Sequence, residues 1–154
     1  MERAAIQPDK IQVSRVTVFK SNIEASTSFL NGRATPVSHK FSFSQETGLD
    51  LEQSLIGIRL YVLLDGQDEN DELLELKGRF GIEFEFEVEN LRDFVEVKNS
   101  GEIILDAVFA ATIMGIAYST ARGIVFQKTE GTILSGVILP ILDPASLLKK
   151  DTKV

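Results

Sequence analysis

The chain has 154 residues, a formal net charge of −7 and no cysteine. That length is enough to bury a core without disulfides or metal, and the missing cysteine excludes thiol nucleophiles and thiolate metal sites. The acidic balance, with a pI near 4.8, repels phosphate backbones and anionic lipid, so neither nucleic acid nor membrane insertion is expected. Residues 1–8 hold no apolar signal-peptide run, and a cytoplasmic location is the expectation.

Residues 11–24 read as the first strand. Ile11 and Val13 are apolar at odd positions, Val16 and Val18 at even ones, a phase change that predicts a β-bulge near Ser14 or Arg15. The Asn31-Gly32 pair marks a turn, and Pro36 stands where a strand begins. The second strand sets Val37, His39, Phe41 and Phe43 against Ser38, Lys40, Ser42 and Ser44, and ends before Gly48. Ile56, Ile58, Leu60, Val62 and Leu64 form the inner face of a third. The acidic link at residues 65–72 is a hairpin signal. It has the oxygen density of a calcium loop but not the ordered spacing or closing glutamate of an EF-hand, and reads as a solvated turn.

The fourth strand, residues 74–88, has apolar residues or glycine at every even position and mostly charged residues at the odd ones. Side chains of a strand alternate between two faces, so this segment lies in a sheet covered on one side. Gly78 and Gly81 inside the pattern point to a bulge or a close backbone approach. Four strands joined by short polar links predict an antiparallel meander.

Residues 89–101 are too irregular for one element and read as a crossover with exposed apolar residues. A long helix follows, from about Ser100 or Gly101 to about Lys128, with Gly131 placed to end it. Its most apolar window, residues 103–118, is shorter than the ~20 residues of a membrane span and contains Asp106, so it reads as a buried helix. Ala107, Ala111, Gly115, Ser119 and Gly123 recur every four residues, a stripe that lets another backbone approach. Larger apolar residues fill the other sides, and a helix apolar nearly all round is buried on more than one. The sheet supplies one side, so an oligomer interface along the stripe is expected. The alternative is cover by the crossover and C-terminal segments of the same chain. Asp143 and Pro144 open a short terminal helix. The whole, residues 1–154, reads as one domain with flexible tails at 1–10 and 149–154.

No arrangement suited to acid–base or nucleophilic catalysis stands out. His39 shares its strand face with apolar residues and reads as a core or interface histidine. An enzyme is not expected, nor a cofactor or metal. Glu83, Glu85, Glu87 and Glu89 share the outer face of the fourth strand, as a solubility device or as a docking surface for a basic partner.

Ala121-Arg122 late in the long helix, Gly131-Thr132 at its end, Pro140 and the segment from Pro144 to Leu148, taken with the order of strands, crossover and helix, resemble the SecB family of bacterial protein-export chaperones. The resemblance spans residues 11–148. It implies an α+β fold, a four-stranded antiparallel sheet covered by a long helix and a short terminal one, assembled as a homotetramer, a dimer of dimers. It also implies an ATP-independent holdase that binds unfolded or pre-export proteins in apolar grooves, here formed by Phe84, Phe86, Leu91, Phe94, Val95 and Val97 with Phe109 beneath. The family docks the export motor SecA on an acidic outer face, for which Glu24, Glu75, Glu83 and Glu85 are the candidates. The lysine-rich tail departs from the family pattern, and a relative that serves a toxin–antitoxin system fits equally well. A scaffold or small-ligand-binding oligomer built on the same fold is the alternative.

Overall fold

Alternating burial along the fourth strand organises the molecule. In the computed structural model, which describes residues 2–32 and 35–149 and the backbone of 151–153, Leu76, Phe80, Ile82, Phe84, Phe86 and Val88 are each at most 1% exposed. Four long strands form the sheet: β1 (Ile11–Ala25), β2 (Ser38–Asp50), β3 (Leu55–Gln67) and β4 (Leu73–Val88). A short helix, α1 (Thr27–Gly32), lies between β1 and β2. After β4 come a one-turn 3₁₀ helix (Leu91–Phe94) and the ribbon of β5 (Val95–Val97) with β6 (Ile103–Leu105). The long helix α2 (Ala107–Thr129), a further 3₁₀ turn (Pro144–Leu148) and β7 (Asp151–Lys153) follow.

The sheet is antiparallel, in the order β1-β4-β3-β2-β7. Strands β2, β3 and β4 are consecutive hairpins, as expected, but β1 pairs with β4 and not with β2. The connectivity is therefore a Greek key in place of a simple meander. The connection at residues 26–37 makes this possible by crossing the end of the β3–β4 hairpin. Ser26 N–H donates to the Glu75 carbonyl at one side, Val37 N–H to the Gln67 carbonyl at the other, and Pro36 lies against Gly66, where an added Cβ would come within 3.3 Å of it. Ser26 Oγ caps α1 by accepting from Phe29 N–H. The Asn31-Gly32 pair sits in this helix, and the residues immediately after it, Arg33 and Ala34, lie outside the described residues.

Strand β1 carries the expected bulge at Ser14 and a second one at Phe19, where the register with β4 shifts again. The second bulge turns the Phe19 ring over Gly81. A Cβ there would lie 2.5 Å from the ring, which also meets Tyr61 edge-on at 5.7 Å. Gly78 admits Leu134 on the opposite face, at 2.9 Å from a notional Cβ. Both strand glycines are thus sites of close approach. The acidic hairpin closes as a solvated turn, with the Asp68 carboxylate accepting from the N–H groups of Asn70 and Glu72.

Helix α2 begins later than the apolar pattern implied, because Asp106 is its N-cap. The Asp106 carboxylate accepts from Phe109 N–H at 2.9 Å and from Arg3 Nε at 2.9 Å, and the backbone bond holds its pKa below the usual range. Residues 103–105, assigned to the helix from sequence, instead pair as β6. Gly131 follows the helix end with φ +74°. With 23 residues the helix is long and apolar enough to cross a membrane by length and composition, longer than the window read from sequence. Here Ile113, Met114, Ala117, Ala121 and Val125 are buried against the sheet. The chain ends also differ from the expectation of flexible tails. Arg3 reaches Asp106, Ala4 and Ile6 pack on the core, residues 8–10 form a 3₁₀ turn, and Asp151–Lys153 pair with β2. Lys150 and Val154 lie outside the described residues.

Candidate binding surface

The inner face of the sheet is sealed unevenly. Over β2, β3 and β4 lie α2, the 3₁₀ turn at Leu91–Phe94, and Leu134, Val137, Leu139 and Leu147. Tyr118 meets Phe43 edge-on at 5.6 Å and donates its hydroxyl to the Pro140 carbonyl, while Arg122 Nε donates to the Leu139 carbonyl. These contacts tie the chain after α2 to the β2 side. Burial raises the Tyr118 pKa to about 12.

Towards β1 the cover stops. Val13 and Val16 are in register with the inner-face residues Phe86 and Phe84 of β4, yet they are 42% and 41% exposed. Ile11, Val18 and Ile23 on the same face are only half-buried. Successive helix residues are about 100° apart, so Ile116 and Thr120 lie on the flank of α2 turned away from Tyr118 and β2. The open strip of β1 thus continues the sealed part of the inner face as an exposed apolar surface, of a kind that attracts apolar chains non-directionally.

Of the residues proposed from sequence to hold clients, Phe84, Phe86, Leu91, Phe94 and Phe109 are brought together, but as core. Phe94 and Phe109 stack at 4.0 Å with their rings 6° from parallel. The crossover does not leave a groove at these positions because Leu91–Phe94 coils into a 3₁₀ turn that presses both of its apolar residues inward. An open groove lined by these five is therefore corrected. Val95 is half-buried and Val97 is 60% exposed, opposite the exposed Ile103 on the β5–β6 ribbon. The pattern that would have exposed the β1 strip was in the sequence, Val13, Val16 and Val18 around a bulge, but periodicity carries no information on how far a helix reaches.

The acidic candidates fall into two groups at opposite ends of β4. Glu75 and Glu83 are eight residues apart, about 27 Å along a strand. Glu24 lies opposite Lys77 beside Glu75. Glu83 and Glu85 are engaged by arginines: Arg59 Nε at 2.7 Å and Arg15 at 3.5 Å on Glu83, and Arg15 at 3.1 Å on Glu85. The hydrogen bond from Arg59 holds the Glu83 pKa below the usual range. Beside them the paired Gly48 and Gly57 leave a shallow depression of about 490 Å³ rimmed by Glu46, Arg59, Glu83 and Glu85. The four glutamates do not form one acidic patch.

In the small-residue stripe, Gly115 is covered by Pro144 of the same chain, 3.3 Å from a notional Cβ. Ala111 is half-buried, and Ala107, Ser119 and Gly123 face outward with Val108 and Phe126. A four-residue repeat gains about 40° per step on an α-helix. The stripe therefore winds around the helix with its covered member, Gly115, between outward ones, and cannot meet a single partner along its whole length.

No protein-family profile and no curated protein matches the chain. Among solved structures it is similar to the Mycobacterium tuberculosis Rv1957 SecB-like chaperone in complex with a ChAD peptide from the Rv1956 HigA1 antitoxin. The TM-score is 0.59 at 16% identity, over 87% of this chain and 91% of that one. A protein of unknown function from Streptococcus agalactiae aligns over 90% of this chain and 100% of its own at 13% identity, with a TM-score of 0.41 that carries no argument. The first likeness, together with the four-stranded antiparallel sheet and long helix, establishes that this chain has a SecB-like fold.

Proposed function

We propose that this protein is an ATP-independent holdase that binds unfolded polypeptides on its uncovered apolar surface. The observation that carries the reading is the open inner face of β1, where Val13 and Val16 lie in register with fully buried phenylalanines but remain more than two-fifths exposed. A soluble domain that leaves a connected apolar strip uncovered holds it for a partner. The peptide-bound SecB-like neighbour makes a polypeptide the favoured one. The outward Val108, Ser119, Gly123 and Phe126 of α2 then face a second copy, giving a homo-oligomer.

Suppression of aggregation of a chemically unfolded client tests the reading. Purified protein is expected to suppress it at near-stoichiometric ratio without nucleotide, and Val16→Asp to weaken client binding about tenfold or more. One buried valine is worth about 1.5–3 kcal/mol, and each 1.4 kcal/mol is a factor of ten. No suppression by the unaltered protein, or equal suppression by Val16→Asp, sinks the proposal. Light scattering of a stable monomer would remove the oligomer from it.

A further inference from the structure

The two edges of the sheet are protected in different ways. Along β1 the bulges at Ser14 and Phe19 break the ladder, the usual means of making an edge a poor template for further strands. Strand β2 has no such device, and its register with β3 runs unbroken from Ser38 to Asp50. What occupies its far side is β7, antiparallel and three residues long, opposite Ser42, Phe43 and Ser44. Among the described residues no other strand pairs with β2 on that side.

The side chains beside this edge suit an incoming chain. His39, Phe41 and Phe43 follow one another along the inner face with successive ring centroids 6.4 Å apart. Phe43 is closed over by Tyr118, whereas His39 and Phe41 are only half-buried.

We infer that the β2 edge is a strand-addition site for an extended segment of unfolded polypeptide, with β7 as its displaceable placeholder. The incoming segment pairs antiparallel to β2 as β7 does, and lays every second side chain on the ring ladder. Main-chain hydrogen bonds supply affinity without reading sequence, and the alternating apolar contacts add to it. A second folded copy of this chain is the less suitable occupant. It would bring a β2 edge that its own β7 already caps, whereas an unfolded segment brings free main-chain groups. The tail competes from within the molecule, so the apparent client affinity is reduced by the fraction of molecules whose edge is open. This inference rests on the holdase reading and specifies how the client is held.

Hydrogen exchange on the full chain, with and without a chemically unfolded client, tests it. Client is expected to slow exchange in residues 38–46 and to speed it in residues 151–153. Thr152→Pro, which removes a strand N–H from the tail and leaves β2 intact, should tighten client binding several-fold, and Phe41→Ser should weaken it several-fold. A client that binds while exchange at β2 and β7 stays unchanged and Thr152→Pro has no effect overturns strand addition and leaves the holdase standing. Failure of any client to bind overturns both. Slowed exchange at β2 in Thr152→Pro without client, increasing with protein concentration, would assign the edge to a second copy and overturn the inference as stated.

Discussion

Strands β1 and β4 are hydrogen-bonded neighbours with apolar residues on the same face, yet they meet opposite fates. Every inner residue of β4 from Leu76 to Val88 is buried, while Val13 and Val16 of β1, directly opposite Phe86 and Phe84, are left open. The difference lies in the cover. Helix α2 meets β2 through Tyr118 on Phe43 and holds the segments after it through Tyr118, Arg122 and Pro144, and one helix about 10 Å wide does not span four strands at about 4.8 Å spacing. An apolar side chain is therefore core or binding surface according to where the second layer ends.

The largest expected effect breaks the sealed side. Phe109→Ala removes a fully buried ring stacked on Phe94 and should cost about 3–5 kcal/mol, a large part of the ~5–15 kcal/mol available to a domain. Denaturant unfolding measures it, and a loss below about 1 kcal/mol would place Phe109 in a groove as the sequence suggested. Val16→Asp is the counterpart on the open side: binding falls, but unfolding free energy should stay within about 0.5 kcal/mol, as at other exposed positions. Tyr118→Phe asks whether the tie to β2 sets the limit of the cover. Loss of the hydrogen bond to Pro140 should cost about 1 kcal/mol and increase hydrogen exchange in residues 137–142, and an unchanged exchange pattern would remove that bond from the explanation.

The smallest effect is pH-dependent. Burial lowers the pKa of His39 from its ordinary 6.5, and its Nε2 has no hydrogen-bond partner among the described residues. The unfolded chain then takes up a proton more readily than the folded one. The stability that comes from a neutral ring is complete above 6.5 and is lost as pH falls through the window just below it, towards the folded value. Melting temperature should drop as pH falls below the ordinary histidine value of 6.5, and His39→Gln should flatten that drop. An identical pH profile in the variant would show that other groups cause it.

Much of the fold was legible because strand and helix periods leave direct marks. The 2-residue alternation of β4, the phase slip at Ser14 and the end of α2 at Gly131 can each be read from neighbouring residues. The start of α2 was misplaced because Ile103, Ile104 and Leu105 are apolar in either conformation, and only the Asp106 cap decides between them. The place of the exposed apolar surface was not legible in the sequence. Phe84, Phe86, Leu91, Phe94 and Phe109 lie in one buried cluster and not in a groove, because whether an apolar cluster faces solvent depends on the 3₁₀ turn that folds over it. The acidic face misled for a similar reason: Arg15 and Arg59 come from other strands to pair with Glu83 and Glu85.

The sequence by itself determined that this chain makes a one-sided antiparallel sheet with an apolar helix upon it, because hydrophobic period is a local property of the backbone. Three things were left to the tertiary structure: that β1 lies beside β4, that the helix stops short of β1, and that the last residues cap the edge of β2. Each depends on contacts between segments far apart in the chain. A residue's own neighbours in sequence carry no record of what will, or will not, be laid over it.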